Sequence, residues 1–208
     1  NISQGRNVLY ITLEMAEEMI AERIDANLMN VNIGDLVDLP KKMFTDKINK
    51  IKEKANGQLV IKEYPTSTAH AGHFRSLLKE LAIKKDFTPD IIYIDYINIC
   101  ASSRLRSDAG SYFYVKAIAE ELRGLAVENN LPIVSATQTT RGGYDNTDIS
   151  LTDTSESFGL PATSDLMVAI IATEEMDSLN QVMVKQLKNR YNDISSHKRF
   201  ILGIDKPK

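Results

Sequence analysis

Three short apolar runs in this chain each stop on a polar residue, and that repetition constrains the fold more than any other feature. Ile91-Ile92-Tyr93-Ile94 closes on Asp95, Val8-Leu9-Tyr10-Ile11-Thr12-Leu13 runs into Glu14, and Pro132-Ile133-Val134-Ser135-Ala136-Thr137 runs into Gln138. Runs this short, rich in β-branched residues and bounded by turn residues such as Pro89-Asp90, suit strands covered on both faces, as in a parallel sheet. Open α/β sheets bind ligands beyond the carboxyl ends of their strands. If the three strands run parallel, Asp95, Glu14 and Gln138 converge on one crevice.

Helical stripes alternate with these runs. A helix over Met15 to Asn30 turns Ala16, Ile20, Ile24 and Leu28 inward and leaves Glu17, Glu18, Glu22 and Arg23 to solvent. Phe44, Ile48, Ile51 and Ala55 mark a second helix, with Gly57 where a C′ glycine would end it. Leu59-Val60-Ile61 reads as a strand, and the polar tract Pro65-Thr66-Ser67-Thr68 can cap the next helix, which carries Phe74, Leu77, Leu78 and Leu81. After a polar loop from Ala101 to Gly110, a long helix turns Val115, Ile118, Ala119, Leu122, Leu125 and Ala126 inward. Beyond Thr137 the alternation stops. Arg141-Gly142-Gly143-Tyr144-Asp145-Asn146 reads as a loop. Leu166 to Ala172, Val182 to Leu187 and Arg199 to Ile204 then follow as strands without helices between them, which predicts antiparallel additions to one edge of the sheet.

No internal repeat, low-complexity tract or linker divides the chain, so 1–208 is read as one α/β domain of 208 residues. The chain opens almost at once on a buried strand, which predicts an earlier strand and helix ahead of Asn1. No apolar run approaches the ~20 residues that span a bilayer. Cys100 is the only cysteine, which excludes an internal disulfide and a cysteine zinc site and fits a reducing cytoplasm. The net charge of −3 argues against a uniformly basic nucleic-acid binder but leaves room for a locally basic lining. Lys185, Lys188, Arg190, His197, Lys198, Arg199, Lys206 and Lys208 crowd the C-terminal part.

Each candidate has a chemical reading and a plainer one. Asp95 is placed as a Walker-B acid is, holding magnesium through water beside nucleotide phosphates, and equally as a strand-end aspartate capping a turn. Glu14 could deprotonate an attacking water, or simply favour the positive end of the following helix. Gln138 could sense a γ-phosphate and relay it to the loop carrying Arg141 and two glycines, or be a turn residue. Lys188 and Arg190, two residues apart at a strand end, point to one side and could reach a neighbouring subunit's nucleotide, Arg190 as an arginine finger; they could also be solvated charges. Arg104 and Arg106, among Ser102, Ser103 and Ser107, could contact a phosphodiester backbone. His70 and His73 have metal-like spacing but no evident third ligand. No Gly-x-x-x-x-Gly-Lys-Ser/Thr phosphate loop is present in the sequence.

Taken together, Leu9-Tyr10-Ile11-Thr12-Leu13-Glu14-Met15-Ala16-Glu17-Glu18, Ile94-Asp95-Tyr96, the helix Val115 to Arg123, Ala136-Thr137-Gln138, Glu156 to Asp165 and Lys188-Asn189-Arg190-Tyr191 resemble, in order and spacing, the RecA-like motor domain of DnaB-type replicative helicases, in particular its T-even phage members. The resemblance implies a RecA-like α/β fold, ATP and Mg²⁺ as cofactors, and 5′→3′ movement on single-stranded DNA. It implies Glu14 as hydrolytic base, Asp95 as the acid near magnesium, Gln138 as sensor, and Lys188 and Arg190 offered in trans. It places Arg141, Gly142, Gly143 and Glu156 in loops lining a DNA channel, with Arg104 and Arg106 as further contacts. The partners it implies are copies of itself in a hexameric ring, a primase and a helicase loader, in the cytoplasm (the host's, if phage-encoded) and away from any membrane. The family's phosphate loop lies upstream of the Glu14 strand, and Ser155 stands where some members carry an arginine. This predicts a fragment that begins after the phosphate loop, loses a central strand, exposes apolar edges, and alone neither hydrolyses ATP nor unwinds DNA. A recombinase or clock-type ATPase on the same fold, or a non-enzymatic scaffold, are the other readings.

Overall fold

The computed structural model describes residues 1–54, 56–140, 148–153 and 159–205. Four strands, β1 (Val8–Thr12), β2 (Leu59–Glu63), β3 (Ile91–Asp95) and β4 (Ile133–Ser135), form a parallel sheet in the order β2-β1-β3-β4. Helices α1 (Glu17–Met29), α2 (Lys41–Lys54), α3 (Ala71–Lys85) and α4 (Ser111–Asn129) provide the crossovers. The core sits on the two central strands: Leu9, Ile11, Ile92 and Ile94 are buried against Phe74, Leu78 and Leu81 of α3 and Ile118, Leu122 and Leu125 of α4. Each such side chain contributes roughly 1.5–3 kcal/mol by leaving water, which is why the expected stripes of α3 and α4 are the ones buried.

The strands and helices stand close to where the sequence puts them, with instructive differences. On α1 the buried residues are Ile20, Ala26 and Met29, while Leu28 is exposed beside α2. Glu17 is not simply solvated: it accepts from Lys62 Nζ at 3.1 Å and from the Glu63 amide at 2.8 Å, pinning the start of α1 to β2. Gly57 does not end α2 in a left-handed turn. A Cβ there would lie 2.2 Å from the Arg6 carbonyl oxygen, so glycine is needed for close backbone approach. The expected cap of α3 in Pro65 to Thr68 is replaced by His70, described below.

β3 pairs directly with β4 through Ile92↔Ile133 and Tyr93↔Val134. β4 is nevertheless short, and Val134 and Ser135 on it are exposed. The C-terminal strands β5 (Leu166–Ile171), β6 (Gln181–Asn189) and β7 (Arg199–Gly203) are antiparallel as expected. They hydrogen-bond among themselves as a second sheet, β5-β6-β7, rather than onto an edge of the first. Two one-turn helices, α5 (Gly159–Thr163) before β5 and α6 (Glu174–Ser178) between β5 and β6, are additions the sequence pattern did not reveal. The second sheet has its own small core of Ile149, Ala169, Ile171 and Leu187. Lys185 is buried beside it, bonded to Asp148, which also accepts from Arg199 at 2.6 Å. Met167 and Leu160 tie this sheet and α5 to the main core. Among the described residues no helix is long and apolar enough to cross a membrane.

Candidate functional site

The carboxyl edge of the parallel sheet gathers the three strand tips. Thr12 and Asp95 are register partners, and the Leu13 amide donates to the Asp95 carbonyl at 2.9 Å, so Glu14 emerges one residue beyond that bond. Its turn is held by two hydroxyls, one on the buried Thr12 and one on the exposed Thr66. Thr12 Oγ1 donates to the Met15 carbonyl at 2.8 Å and accepts from the Met15 amide at 3.0 Å; Thr66 Oγ1 donates to the Leu13 carbonyl at 2.6 Å. The Glu14 carboxylate itself is exposed to solvent.

Asp95 is met from β1 as well. The Tyr10 hydroxyl donates to Asp95 Oδ2 at 3.0 Å, and the Tyr10 ring stacks on Tyr93 with centroids 6.3 Å apart. Burial, and then the bond to Asp95, push the Tyr10 phenol up to about 12. On the other side, Ser135 Oγ of β4 donates to the Ile94 carbonyl at 2.8 Å, and the Ile97 amide donates to the Ala136 carbonyl at 3.2 Å. Gln138 Nε2 then donates to the Tyr96 hydroxyl at 3.1 Å, one residue from Asp95. Glu14, Asp95 and Gln138 thus stand at the same ends of adjacent strands. Tyr10, Thr12, Thr66 and Tyr96, which position them, were not singled out from the sequence. Tyr10 was the most accessible of these, since strand alternation puts it opposite Tyr93 and on the same face as Asp95.

Lys188 and Arg190 lie at the far end of β6, away from that edge in sequence but close together in space. Lys188 Nζ donates to the Pro161 and Ala162 carbonyls at the end of α5. Arg190 Nη1 bonds Asp165 Oδ1, its Nη2 donates to the Ala162 carbonyl at 3.2 Å, and its amide donates to the Asp165 carbonyl at 2.8 Å. Arg123 of α4 shares the same Asp165 oxygen at 2.8 Å. Burial, and then the neighbouring Arg190, lower the Lys188 ammonium from its ordinary value.

Arg104 is committed to α4: it pairs with Glu120 at 2.8 Å and Glu121 at 3.4 Å and donates to the Ala117 carbonyl at 3.0 Å. Arg106 is exposed, with Asp108 at 3.6 Å. His70 and His73 form a reciprocal cap on α3. Arg141, Gly142, Gly143 and Glu156 lie outside the described residues.

Among the described residues, no three His, Cys, Asp or Glu side chains come together as a metal cage. Asp95 and Glu14 do offer hard oxygen donors on one edge. That set suits Mg²⁺, which keeps several waters and takes one or two carboxylates plus substrate phosphates.

The model of the DnaB-like helicase C terminal domain matches residues 1–200. A DnaB-like replicative helicase of Enterobacteria phage T4 is 47% identical over 206 residues, covering 97% of this chain and 43% of that protein. A probable plasmid replicative DNA helicase of Chlamydia trachomatis is 28% identical over 201 residues, covering 94% of this chain and 42% of its own. The chain therefore spans less than half the length of these relatives. Among solved structures, a DnaB-like replicative helicase described with its interactions with primase superposes with a TM-score of 0.79 at 17% identity, covering 99% of this chain and 50% of that one. The ATPase domain of G40P superposes with a TM-score of 0.75 at 16% identity, covering 98% and 76%.

Proposed function

The chain belongs to the DnaB-like helicase C-terminal domain family, and from that premise we propose that it is the motor domain of a ring-forming replicative DNA helicase driven by ATP. The observation that carries this reading is the shared edge on which Glu14, Asp95 and Gln138 stand, tied together by the Leu13–Asp95 and Gln138–Tyr96 bonds. Glu14, exposed on a turn fixed by Thr12 and Thr66, takes the proton of an attacking water. Asp95, oriented by Tyr10, is the residue that would hold Mg²⁺. When bound, that ion neutralises triphosphate charge. Gln138 reports the state of the site to the segment that follows it, which contains Arg141, Gly142 and Gly143. Lys188 and Arg190 serve the site of the next subunit, Arg190 by stabilising charge on the transferring phosphoryl group.

The ring is hexameric, tracks single-stranded DNA in the 5′→3′ direction, and contacts it through Arg141, Gly142, Gly143 and Glu156. Arg104 and Arg106 are secondary contacts, Arg106 being the more accessible. A primase and a helicase loader are its partners in the cytoplasm. Glu14→Gln in the full-length protein tests the reading. Turnover should fall by ~10²–10⁴-fold with nucleotide binding retained, and unchanged turnover would remove Glu14 from the chemistry.

A further inference from the structure

Arg190 stands at the end of a strand of the small sheet, yet its side chain is fixed relative to the main core. An unheld arginine side chain samples many rotamers, so a group that must meet a phosphate on another subunit gains from being held in advance. The holding group is Asp165. Its Oδ1 bonds Arg190 Nη1, and its carbonyl accepts the Arg190 amide at 2.8 Å. Asp165 is fixed in turn by Arg123, whose Nη1 lies 2.8 Å from the same oxygen and 2.9 Å from the Thr163 carbonyl. Arg123 belongs to α4, whose apolar face is buried in the main core.

Two features argue that this arrangement presents Arg190 rather than sequesters it. First, among the described residues cations outnumber the carboxylate: Arg123, Arg190 and Lys188 gather around one aspartate, a positive surplus that an incoming anion relieves. Second, the guanidinium has five N–H donors in a fixed plane. The bonds to Asp165 and Ala162 account for two of these, one on each terminal nitrogen, and Arg190 is still exposed.

We propose that Asp165, braced by Arg123, is the positioning residue for Arg190, setting the guanidinium at the angle at which it meets a neighbouring subunit's triphosphate. The proposal rests on the reading of Arg190 as a group acting in trans. It assigns a mechanical role to α5 as well: its last carbonyls receive Lys188 and Arg190, so movement of α5 moves both cations together.

The test is steady-state ATP turnover and fluorescent-nucleotide binding by the full-length protein carrying Asp165→Asn, Asp165→Glu, Arg123→Gln, Arg190→Ala and the pair Asp165→Asn with Arg190→Ala. Asp165→Asn and Arg123→Gln should each lower kcat ~10–100-fold, the scale of a misplaced catalytic group, with KM and nucleotide affinity nearly unchanged. Asp165→Glu should recover most of the loss, and Asp165→Asn should add nothing once Arg190 is alanine. If Arg190→Ala leaves turnover intact, the reading of Arg190 falls and this inference with it. If Arg190→Ala abolishes turnover but Asp165→Asn and Arg123→Gln leave kcat unchanged or raise it, or Asp165→Asn compounds the loss without Arg190, only the positioning role is overturned.

Discussion

The Tyr10 hydroxyl donates to Oδ2 of Asp95 across 3.0 Å, linking the centre of β1 to the tip of β3. Tyr10 faces Tyr93 in register, so its phenol reaches diagonally past that ring to the carboxylate two residues on. The bond selects one orientation of the Asp95 side chain before any cation arrives. Tyr10→Phe keeps the ring and removes only the donor. It should cost roughly 1–2 kcal/mol of stability and raise the Mg²⁺ concentration needed for half-maximal turnover in the full-length protein. A Mg²⁺ titration that superimposes on the wild type would show that Asp95 needs no such guide.

Burial of the Tyr10 phenol, and then its bond to Asp95, predict an alkaline effect. The phenol is pushed up to about 12 from 10.0, so the folded chain holds this proton more tightly than the unfolded one. The resulting stabilisation is complete below pH 10 and is lost as pH climbs through 12. Thermal melts across that window should fall more steeply for the wild type than for Tyr10→Phe.

At the start of α3, two imidazoles do the work usually given to serine or aspartate. His70 Nδ1 accepts from the Gly72 amide at 3.0 Å, and His73 Nδ1 accepts from the His70 amide at 3.2 Å. Both acceptors require unprotonated Nδ1, and a cation here would face the positive end of the helix. Burial, then the adjacent His73, lower the His70 imidazole below 6.5, with Glu121 pulling the other way. The cap's contribution is therefore present above pH 6.5 and lost as pH falls through the lower folded value. His70→Asn should retain the cap and flatten the melting temperature between about pH 7.5 and pH 5, whereas His70→Ala should cost about 1 kcal/mol at neutral pH. Equal acid sensitivity in His70→Asn and wild type would place the titration elsewhere.

How much of this could be read from the residues depends on the kind of interaction. The strands were legible because burial on both faces leaves an unbroken apolar run, and α3 and α4 because their stripes are regular. The edge carrying Glu14, Asp95 and Gln138 followed from parallel topology alone. What escaped was set by single long-range hydrogen bonds. Nothing in Asp165 or Arg123 signals that they converge on Arg190, and His70 and His73 share a spacing that suits a metal and a helix cap equally. The separation of the two sheets escaped for another reason: strand pairing depends on which edges meet, and apolar alternation does not encode the partner. Leu28 was misplaced on α1 because Leu28 and Met29 are both apolar, and only packing chooses between them.

Glu121 anchors the loop after β3 through a carboxylate whose side chain is 8% exposed. It accepts from the Ser102 hydroxyl at 2.5 Å, the Ser103 hydroxyl at 2.7 Å and the Ser103 amide at 2.9 Å, with Arg104 Nε at 3.4 Å. Burial would raise this carboxyl, but these bonds outweigh it and hold it below 4.5. Its stabilisation is thus present above pH 4.5 and lost as pH falls through the lower folded value. Glu121→Gln puts an N–H₂ where a donor already points, and should cost roughly 1.5–3 kcal/mol. Faster hydrogen exchange at the Ser103 amide would locate the loss, and unaltered exchange there would count against the clamp.

Gly57 offers a purely steric test of how the amino ends of β1 and β2 are joined. The Val8 amide donates to the Gln58 carbonyl at 2.8 Å, which draws the residues entering β2 alongside those entering β1. At that approach a Cβ on Gly57 would sit 2.2 Å from the Arg6 oxygen and 2.8 Å from its carbonyl carbon, and neither is the movable end of a side chain. Gly57→Ala must therefore shift one backbone segment or the other, at a cost of about 1–3 kcal/mol or more. Gly34 has no heavy atom within 4 Å of its added Cβ, so Gly34→Ala reports the effect of the methyl group without the clash. Urea denaturation of both variants separates the two contributions. A Gly57→Ala midpoint no lower than that of Gly34→Ala would mean that the Arg6 backbone yields freely, and that the start of β1 is not held against β2.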